Sequence, residues 1–338
     1  MPTIKDVARA AGVSIATVSY VLNNKTGMVS ETTREHVLEV AQRLGYRPNI
    51  NARNLQASRT GLIGYAWHKA PGGEPSPVLD QFIYHLAHAA EQQDYHVLTF
   101  THPGDNPIRV YEDLIRSRRV DGFVLAETET NDPRVRFLID ENFPFVTFGR
   151  TANDWEYCWV DTDGRDGAKQ AVEHLIQQGH ERIGFLGWSY AALTGDDRLQ
   201  GYLEAMENAG LPVDKDYIAR TDYKTETIES VLAQWKPHNL TAAFVVSDYD
   251  AISLMRGLER NKMPPMAVVG FDDAPVSKFT RPGLTTLRQP LREISTALIK
   301  MLHERIQNKD CIPQNKLFKP ELIIRESSLI PPNAPAPR

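Results

Sequence analysis

The stretch GVSIATVSYVLNN, residues 12–24, decides how the N-terminal part of this chain folds. Helical spacing places Val18 and Leu22 on one face of a short helix, which we expect to face a small core. The opposite face carries three side chains that have no obvious core to enter: Ile15, Ala16 and Tyr20. In a chain of net charge −5, exposed apolar side chains at the start of a helix indicate a surface that another molecule covers.

A helical pattern also precedes this stretch. The segment TIKDVARAAG has Thr3 at the N-cap position and Asp6 three residues later, and Gly12 is a natural left-handed stop. Ser14 is then placed to cap the central helix, whose pattern ends at the NNKTG loop. A helix, a turn of about four residues and a second helix form a helix-turn-helix unit.

A third helical pattern completes the unit. Ser30 is placed to cap ETTREHVLEVAQRLG, and Gly45 and Pro48 end the pattern. Its core face is marked by four apolar residues at i, i+3, i+4 and i+7: Val37, Val40, Ala41 and Leu44. We therefore predict an all-α head of three short helices around one small core in residues 1–47.

The second helix of such a unit enters the major groove of DNA, where its first exposed residues meet base edges. Apolar Ile15 and Ala16 can pack on thymine methyl groups, and the Tyr20 hydroxyl can hydrogen-bond a base or a phosphate. Small polar residues and the helix N-termini suit phosphates. This assigns five more residues to DNA contact: Thr3, Ser14, Thr17, Ser19 and Asn23.

Charge favours DNA over a protein partner for this head. The first 60 residues carry eight Lys/Arg against four Asp/Glu, whereas the whole chain has a net charge of −5. A basic module therefore belongs to an acidic body. The alternative, a protein-binding three-helix module with an apolar patch, explains the exposed side chains but leaves the surplus of basic charge without a role.

Composition narrows the function classes further. The 338 residues suffice for more than one domain, and no apolar run resembles a signal peptide or a membrane span, so we expect a cytoplasmic protein. Cys158 and Cys311 are too few for a disulfide framework and are not spaced as zinc ligands. His85 and His88 lie three apart but lack converging ligands. We predict no metal, no cofactor and no catalysis, because dinucleotide, P-loop and nucleophile motifs are absent.

The remaining chain alternates short apolar runs with helical patterns. Seven runs read as buried strands: LIGYAW, HVLTFT, DGFVLA, FPFVTFG, RIGFLG, AAFVVSD and MAVVGF. Continuous apolar strands separated by 12 to 20 residues of helical pattern predict parallel α/β sheets, and the length accommodates two of them.

Open parallel sheets bind ligands beyond the carboxyl ends of their strands. Residues after the predicted strands therefore form a candidate effector set: Trp67, His68, Phe148, Ser247, Asp248 and Asp272. Asp272 and Arg198 are the strongest candidates, because a carboxylate and a guanidinium can each hold two hydroxyls of a polyol. The alternatives are an internal ion pair between Arg198 and Asp272, and ordinary core packing of Trp67.

The chain resembles the LacI/GalR family of bacterial transcription regulators over nearly its whole length. The head motifs TIKDVARAAGVSIATVSYVLNN, VSETTREHVLEVAQRLGYRPN and ARNLQ match, as do GHERIGFLG, DDRLQGY, VVGFDD and LTTLRQP in the body. The resemblance implies that Ile15, Ala16 and Tyr20 occupy the base-reading positions. It also implies effector roles for Arg198 and Asp272 and adds Tyr223 and Gln289 to the effector set.

The resemblance implies a particular domain organisation. It predicts a helix-turn-helix head (1–47), a hinge helix (48–59), and two doubly wound parallel-sheet subdomains of periplasmic-binding-protein type. The subdomains would comprise 60–160 with 290–316 and 161–289 with 317–330, joined by crossovers near Asp161, Gln289 and Leu317. Residues 331–338 are too poor in apolar character to pack and are expected to be loose.

The hinge segment is predicted to contact the minor groove of DNA. About ten residues cannot hold a helix alone in water, so this helix should order only when packed. By resemblance it pairs with its dimer mate and inserts Leu55 between base steps, with Arg53 and Gln56 beside it. A passive linker is the alternative.

These expectations describe a homodimeric repressor that reads a pseudo-palindromic operator and is controlled by a small molecule, most simply a mono- or disaccharide that relieves DNA binding. Three alternatives stand beside it. The effector could be a nucleobase-type co-repressor, the chain could be an exported sugar-binding protein, or it could be an enzyme on the same frame. The first differs in the sign of the effect on operator affinity, the second has no use for residues 1–47, and the third would turn over its ligand.

Overall fold

The fold is described from a computed structural model, which covers residues 2–22, 27–46, 59–67, 77–101, 106–151, 154–189, 192–222 and 224–334. The chain forms two compact units, Met1–Thr60 and Gly61–Arg338. The predicted hinge lies almost entirely outside the described residues, since only Arg59 of the segment 48–59 is included.

The first unit contains the three predicted helices, α1 (Ile4–Ala11), α2 (Ile15–Leu22) and α3 (Glu31–Arg43). Helix α1 begins with the predicted reciprocal cap between Thr3 and Asp6. It ends at Gly12, whose φ of 66° is the left-handed conformation that glycine adopts without a Cβ penalty. The Ser30 hydroxyl caps α3 by accepting a hydrogen bond from Thr33 N (3.3 Å).

The core of the head joins all three helices. Its buried members are Val7, Ala8, Ala11, Val18, Val21, Val37, Val40 and Ala41. Leu22 is half-buried and packs against this core, as expected, and Val21 is buried beside it. One detail of the sequence-based prediction was wrong: Leu44 is 37% exposed, because α3 ends one residue before it.

The second unit is built of alternating strands and helices. Its strands are β1 (Leu62–Trp67), β2 (His96–Thr101), β3 (Gly122–Leu125), β4 (Phe145–Phe148), β5 (Cys158–Thr162), β6 (Ile183–Trp188), β7 (Ile218–Thr221), β8 (Ala242–Val245), β9 (Ala267–Asp272), β10 (Thr285–Arg288), β11 (Asn315–Phe318) and β12 (Glu321–Ile323). Its helices are α4 (Pro77–Glu91), α5 (Ile108–Arg116), α6 (Pro133–Asp140), α7 (Gly164–Gln177), α8 (Leu193–Asn208), α9 (Thr225–Trp235), α10 (Asp248–Arg260) and α11 (Leu291–Gln307).

The strands form two six-stranded sheets with the same plan. Sheet A has the order β11-β5-β4-β3-β1-β2 and sheet B the order β12-β10-β9-β8-β6-β7. All pairs are parallel except β10 with β12, which is antiparallel. The prediction of two doubly wound parallel sheets is confirmed, with this one antiparallel edge strand as the exception.

Strand β2 corrects one sequence-based expectation. HVLTFT was expected to be a buried strand, but β2 is the edge of sheet A and its side chains are half-buried or exposed. Five strands had no matching apolar run: β5, β7, β10, β11 and β12. They are short or rich in polar residues, so they lack the continuous apolar signal of a buried parallel strand.

The chain passes between the sheets three times within this unit. It leaves sheet A after β5, returns after β10 to form α11 and β11, and crosses again to add β12 to sheet B. Helix α11 packs on sheet A beside α4, where its apolar side chains belong to one core with Ile63, Tyr65 and Phe82. On sheet B, α7 and α8 pack closely because Gly201 has no side chain. A Cβ at this position would lie only 2.3 Å from Arg165 O.

The structure describes only the first half of the tail that was expected to be loose, and that expectation stays a prediction. Residues 331–334 form a turn in which Ala334 N donates to Pro331 O (3.0 Å), and residues 335–338 lie outside the described part. No helix among the described residues has the length and apolar character to cross a membrane. Within the same residues, no group of three His, Cys, Asp or Glu side chains is arranged to hold a metal ion.

Candidate functional sites

Helix α2 presents the side chains predicted to meet base edges. Ile15 is 46% exposed and Ala16 is exposed, while Val18 and Val21 face the core on the opposite side. Tyr20 is half-buried rather than exposed, and it borders the core face. The first turn of α2 therefore offers a small apolar surface of a size that fits thymine methyl groups in a major groove.

The hydroxyls near the helix starts have different roles. Ser14 Oγ accepts a hydrogen bond from Thr17 N (3.0 Å), and the Ser14 and Thr17 hydroxyls lie 2.8 Å apart on the exposed side of α2. Thr3 instead gives both its hydroxyl and its amide to one oxygen of Asp6 (2.7 and 2.9 Å). Thr3 thus caps α1, and its contact with a phosphate stays a prediction. Ser19 is half-buried on α2.

Several predicted site residues lie outside the described part of the chain. For DNA contact they are Asn23, Arg53, Leu55 and Gln56, and for the effector they are His68 and Tyr223.

In the second unit, both sheets have a topological switch point where ligands bind in open α/β folds. In sheet A the chain order reverses between β1 and β3, and in sheet B between β6 and β8. The residues at these carboxyl ends are Trp67 and Glu127 in sheet A, and Trp188 and Ser247 in sheet B. The sheets are joined by the crossovers, so the carboxyl ends and the crossover residues are the candidate effector site.

Asp272, at the end of β9, is the carboxylate best placed for a ligand. It accepts a hydrogen bond from Gln289 Nε2 (2.7 Å), and Gln289 Oε1 in turn accepts one from Thr162 Oγ1 (2.6 Å), which links two crossovers. Asp272 has a φ of 125°, a conformation that a non-glycine residue adopts only under constraint. Burial raises its pKa to about 6, although the Arg198 charge and the Gln289 hydrogen bond oppose this rise.

Arg198 is 3% exposed and lies on aromatic rings. Its guanidinium carbon is 3.6 Å from the centre of the Phe271 ring and 5.2 Å from that of Trp188, and Nη1 donates to Val246 O. Arg198 also lies close enough to Asp272 for its charge to lower the pKa of that carboxyl group. The two strongest sequence candidates are thus neighbours.

Ser247 and Asp248 are correctly located but already bonded within the protein. Ser247 caps α10: its hydroxyl accepts from Asp250 N (3.1 Å) and donates to Asp250 Oδ2 (2.6 Å). These bonds fix the position of both residues at the site, and their contact with an effector stays a prediction.

The Asp248 carboxylate ties three segments together. It accepts from Thr286 Oγ1 (2.5 Å), Ala274 N (2.7 Å) and Ser277 Oγ (2.6 Å). Burial and the neighbouring Asp272 charge raise its pKa to about 8, against the effect of these hydrogen bonds. Asp248 therefore holds the segment after β9 against β10.

The aromatic candidates are both partly in the core of sheet A. Trp67 is half-buried and meets Tyr65 edge-on, with ring centres 5.7 Å apart. Phe148 is half-buried and packs on Phe82 at 4.8 Å. Each therefore combines core packing with an accessible part at the carboxyl ends of the strands.

Sequence reasoning missed three groups at these ends. Trp188 is the last residue of β6, Asp250 is hydrogen-bonded to Ser247, and Glu127 follows β3. The rule that selected Trp67 and Asp272 would have found Trp188 and Glu127 if it had been applied to every predicted strand. Asp250 has no such signal, because it lies inside a helical turn; it is fully buried, and burial raises its pKa to about 7.

An ion-pair cluster connects the two subdomains. Arg150, after β4, donates from Nε to Asp161 Oδ2 (3.0 Å) at a crossover, and from Nη2 to Asp197 on α8. Its guanidinium carbon lies 5.4 Å from the centre of the Trp159 ring. The carboxyl end of sheet A is therefore held to the helix that also carries Arg198.

Comparisons with known proteins agree on one family. Residues 3–49 match the model of bacterial regulatory proteins of the lacI family, and residues 172–328 match a periplasmic binding protein-like domain. The chain is 32% identical to the HTH-type transcriptional regulator GalR of Escherichia coli (strain K12), over 98% of this chain and 97% of that protein. It is 31% identical to the HTH-type transcriptional repressor PurR of Actinobacillus pleuropneumoniae, over 97% and 98% respectively.

A solved structure extends this similarity to the fold. The complex of the transcriptional regulator CelR with cellobiose superposes with a TM-score of 0.73 at 27% identity, covering 97% of this chain and all of that one.

Proposed function

The chain belongs to the LacI family of bacterial regulatory proteins, and we propose that it is a homodimeric repressor that a saccharide releases from its operator. Two heads would read a pseudo-palindromic operator whose symmetry mirrors that of the dimer. Because its partner is DNA, the protein would act in the cytoplasm.

The exposed apolar first turn of α2 carries the proposal of sequence-specific DNA binding. Ile15 and Ala16 are surface residues with no role in the core of the head, whereas a helix docked in a major groove would bury both on base edges. Phosphate contacts from the basic head would supply salt-sensitive affinity. Ser14 and Thr17, exposed at the start of the same helix, are suited to such contacts.

The proposal of a saccharide rests on the residues at the carboxyl ends of the two sheets. Asp272 and Arg198 can each hold two hydroxyls, and Trp67 and Trp188 offer indole faces of the kind that cover the apolar side of a pyranose. The CelR structure contains cellobiose, which supports the same ligand class for this chain. We assign effector contact to these four residues together with Phe148, Gln289, His68 and Tyr223.

Control of DNA binding would follow from the two-subdomain design. A saccharide bound between the sheets favours one angle between the subdomains, and it can shift that equilibrium only by its difference in affinity for the two states. We propose that the angle sets the spacing of the two hinge segments and so the fraction of dimers in which Leu55 can enter the minor groove.

Two measurements test this function. Purified protein is used to select bound duplexes from a random DNA pool, and we expect a pseudo-palindromic consensus. Thermal unfolding is then followed with cellobiose, galactose, ribose, their phosphates and nucleobases, where a ligand at 100 times its Kd adds about 2.7 kcal/mol. A saccharide that stabilises the protein and lowers operator affinity supports the proposal.

The same experiments test the alternatives. If a nucleobase raises operator affinity, the effector is a co-repressor and not an inducer. Chemical conversion of the saccharide would make the protein an enzyme, and the absence of any selected DNA consensus would contradict the regulator itself.

A further inference from the structure

Glu127 lies beside the switch point of sheet A. It follows β3, and β3 neighbours β1 at the point where the strand order reverses. The residue at the end of β1 is Trp67. Trp67 and Glu127 therefore flank the switch point, the place where a crevice opens beyond the strands of a doubly wound sheet.

The conformation of Glu127 costs stability. Its φ of 50° lies in the left-handed region that favours glycine, because a Cβ there is crowded by the neighbouring main chain. Its Oε2 atom is buried and has no hydrogen-bond partner among the described residues. A buried oxygen without a partner loses its hydration and gains nothing in return. Such a residue calls for a role that the folded chain alone does not provide.

The surroundings of Glu127 are arranged around it rather than bonded to it. Arg134, on α6, donates from Nη2 to the main-chain oxygens of Ala126 (3.2 Å) and Glu127 (3.0 Å), and its ion pair with Asp132 (2.6 Å) uses the same end of the guanidinium. The chain at Glu127 is thereby fixed, while its Oε2 atom keeps no hydrogen-bond partner among the described residues. Burial raises the Glu127 pKa to about 7 even though Arg134 lowers it.

Sheet B has an equivalent arrangement at its own switch point. Trp188 ends β6. Asp250 lies in the first turn of α10, the helix that follows β8, and its carboxyl group contacts Trp188. Each sheet therefore has a tryptophan at the end of the first strand of its switch point and a carboxyl group beside the second. An indole and an adjacent carboxyl group are the pair that a sugar ring needs, since one covers its apolar face and the other takes its hydroxyls.

We propose that Glu127 is a specificity-determining residue of the effector site, which takes hydroxyls of a neutral saccharide at the sheet A end of the ligand. This inference rests on the proposed function, because it places Glu127 in the same site as Asp272. The chemistry selects against phosphate or carboxylate groups at this end, where a second anion would meet the Glu127 carboxyl group. The uncommitted oxygen of Glu127 is satisfied when the saccharide binds.

The test compares wild type with Glu127→Gln and Glu127→Leu by thermal unfolding and calorimetric titration. The probes are cellobiose, galactose and ribose as neutral saccharides, and glucose 6-phosphate and glucuronic acid as anionic ones. We expect a neutral saccharide to stabilise wild type, and its affinity to fall at least tenfold in Glu127→Gln and further in Glu127→Leu. Without ligand, both variants should unfold at the wild-type temperature or above it, because they remove a group that costs stability.

Glu141→Gln is the matched control, since it makes the same change at an exposed position at the end of α6 and should leave saccharide affinity unaltered. Wild-type saccharide affinity in Glu127→Gln would overturn the inference alone. Unfolding of both ligand-free variants several degrees below wild type would also overturn it, since Glu127 would then be a structural residue. A tighter fit for an anionic sugar would overturn the proposed selectivity. Failure of wild type to respond to every saccharide would instead reject the proposed saccharide effector, and this inference with it.

Discussion

The candidate functional residues of the head and of the body differ in polarity and in burial. In the head, the informative residues are apolar and exposed: Ile15 is 46% exposed at the start of a helix whose other face is buried. In the body, they are polar and buried: Arg198 is 3% exposed and Gln289 is 8% exposed. A surface that reads DNA bases needs apolar groups that another molecule covers, whereas a site that holds a polyol needs polar groups that water does not reach.

The contrast teaches that the candidate functional residues are apolar where they are exposed and polar where they are buried, the reverse of the usual distribution. Each such residue lowers the stability of the free protein or contributes nothing to it, and its role appears only in a complex. Substitutions at these positions should therefore change binding far more than folding, and residues in their ordinary environment should do the reverse.

The largest effect is expected at Asp272. Asp272→Asn keeps the shape of the side chain but removes the charge that would hold two hydroxyls, so saccharide affinity should fall at least a hundredfold, about 3 kcal/mol. Operator affinity without saccharide should be unchanged. Calorimetric titration with the active saccharide and operator binding by fluorescence anisotropy measure the two. A variant that still responds fully to the saccharide would place the effector elsewhere.

A smaller effect concerns the buried acid of sheet B. Because burial raises the Asp250 pKa to about 7, the folded protein keeps a proton that the unfolded chain releases near pH 4. The free energy of unfolding should therefore fall as pH rises from 4 to 7. Asp250→Asn should remove about 2 kcal/mol of that fall between pH 5 and pH 7, at about 1.4 kcal/mol per pKa unit.

Denaturant unfolding at these two pH values measures the slope. Asp310→Asn, at an exposed position, is the control and should keep the wild-type slope. An Asp250→Asn slope equal to that of wild type would mean that Asp250 is ionised in the folded protein.

In the head, Ile15→Ala should cost about 1–2 kcal/mol of discrimination between the selected operator and random DNA, because it removes apolar contact with base edges. Binding to random DNA and its salt dependence should stay the same, since phosphate contacts supply them. Competition binding with both duplexes measures the ratio. An equal loss on both would contradict a base-reading role for Ile15 and with it the comparison drawn above.

The smallest effect is expected at a residue in its ordinary environment. Ser30→Ala removes the hydroxyl that accepts from Thr33 N, which should lower the stability of the head by about 1 kcal/mol. Operator discrimination should not change once the head is folded. Thermal unfolding followed by circular dichroism, together with the competition assay, separates the two readouts. A loss of discrimination at Ser30 would blur the distinction between structural and functional residues in the head.

The sequence predicted the fold wherever a local signal was strong. Caps at Thr3 and Ser30, the stop at Gly12 and the strand LIGYAW all depend on neighbouring residues, and each is confirmed. Prediction failed where burial depends on distant partners. Leu44 follows the helical spacing of the core, but the helix ends before it, and β2 has an apolar sequence although it is an edge strand.

The candidate site divides in the same way. The carboxyl-end rule located Asp272 and Trp67 from the strands alone. It did not show that Ser247 and Asp248 form hydrogen bonds within the protein. For Asp248 no local signal exists, because partners such as Thr286 lie far along the chain. Nor did it indicate Asp250, since a carboxyl group in the first turn of a helix is an ordinary sequence feature that becomes unusual only through burial.

The late position of α11 in the chain has a consequence for synthesis. One face of sheet A is covered by apolar side chains of α11, including Leu291, Leu298 and Leu302, yet most of the strands they cover precede residue 165. The ribosome therefore synthesises β6 to β10 of sheet B while this face of sheet A still awaits its cover. At 5–20 residues per second, roughly ten seconds pass between the synthesis of β5 and that of α11, and during that interval the nascent chain presents an apolar surface that chaperones recognise.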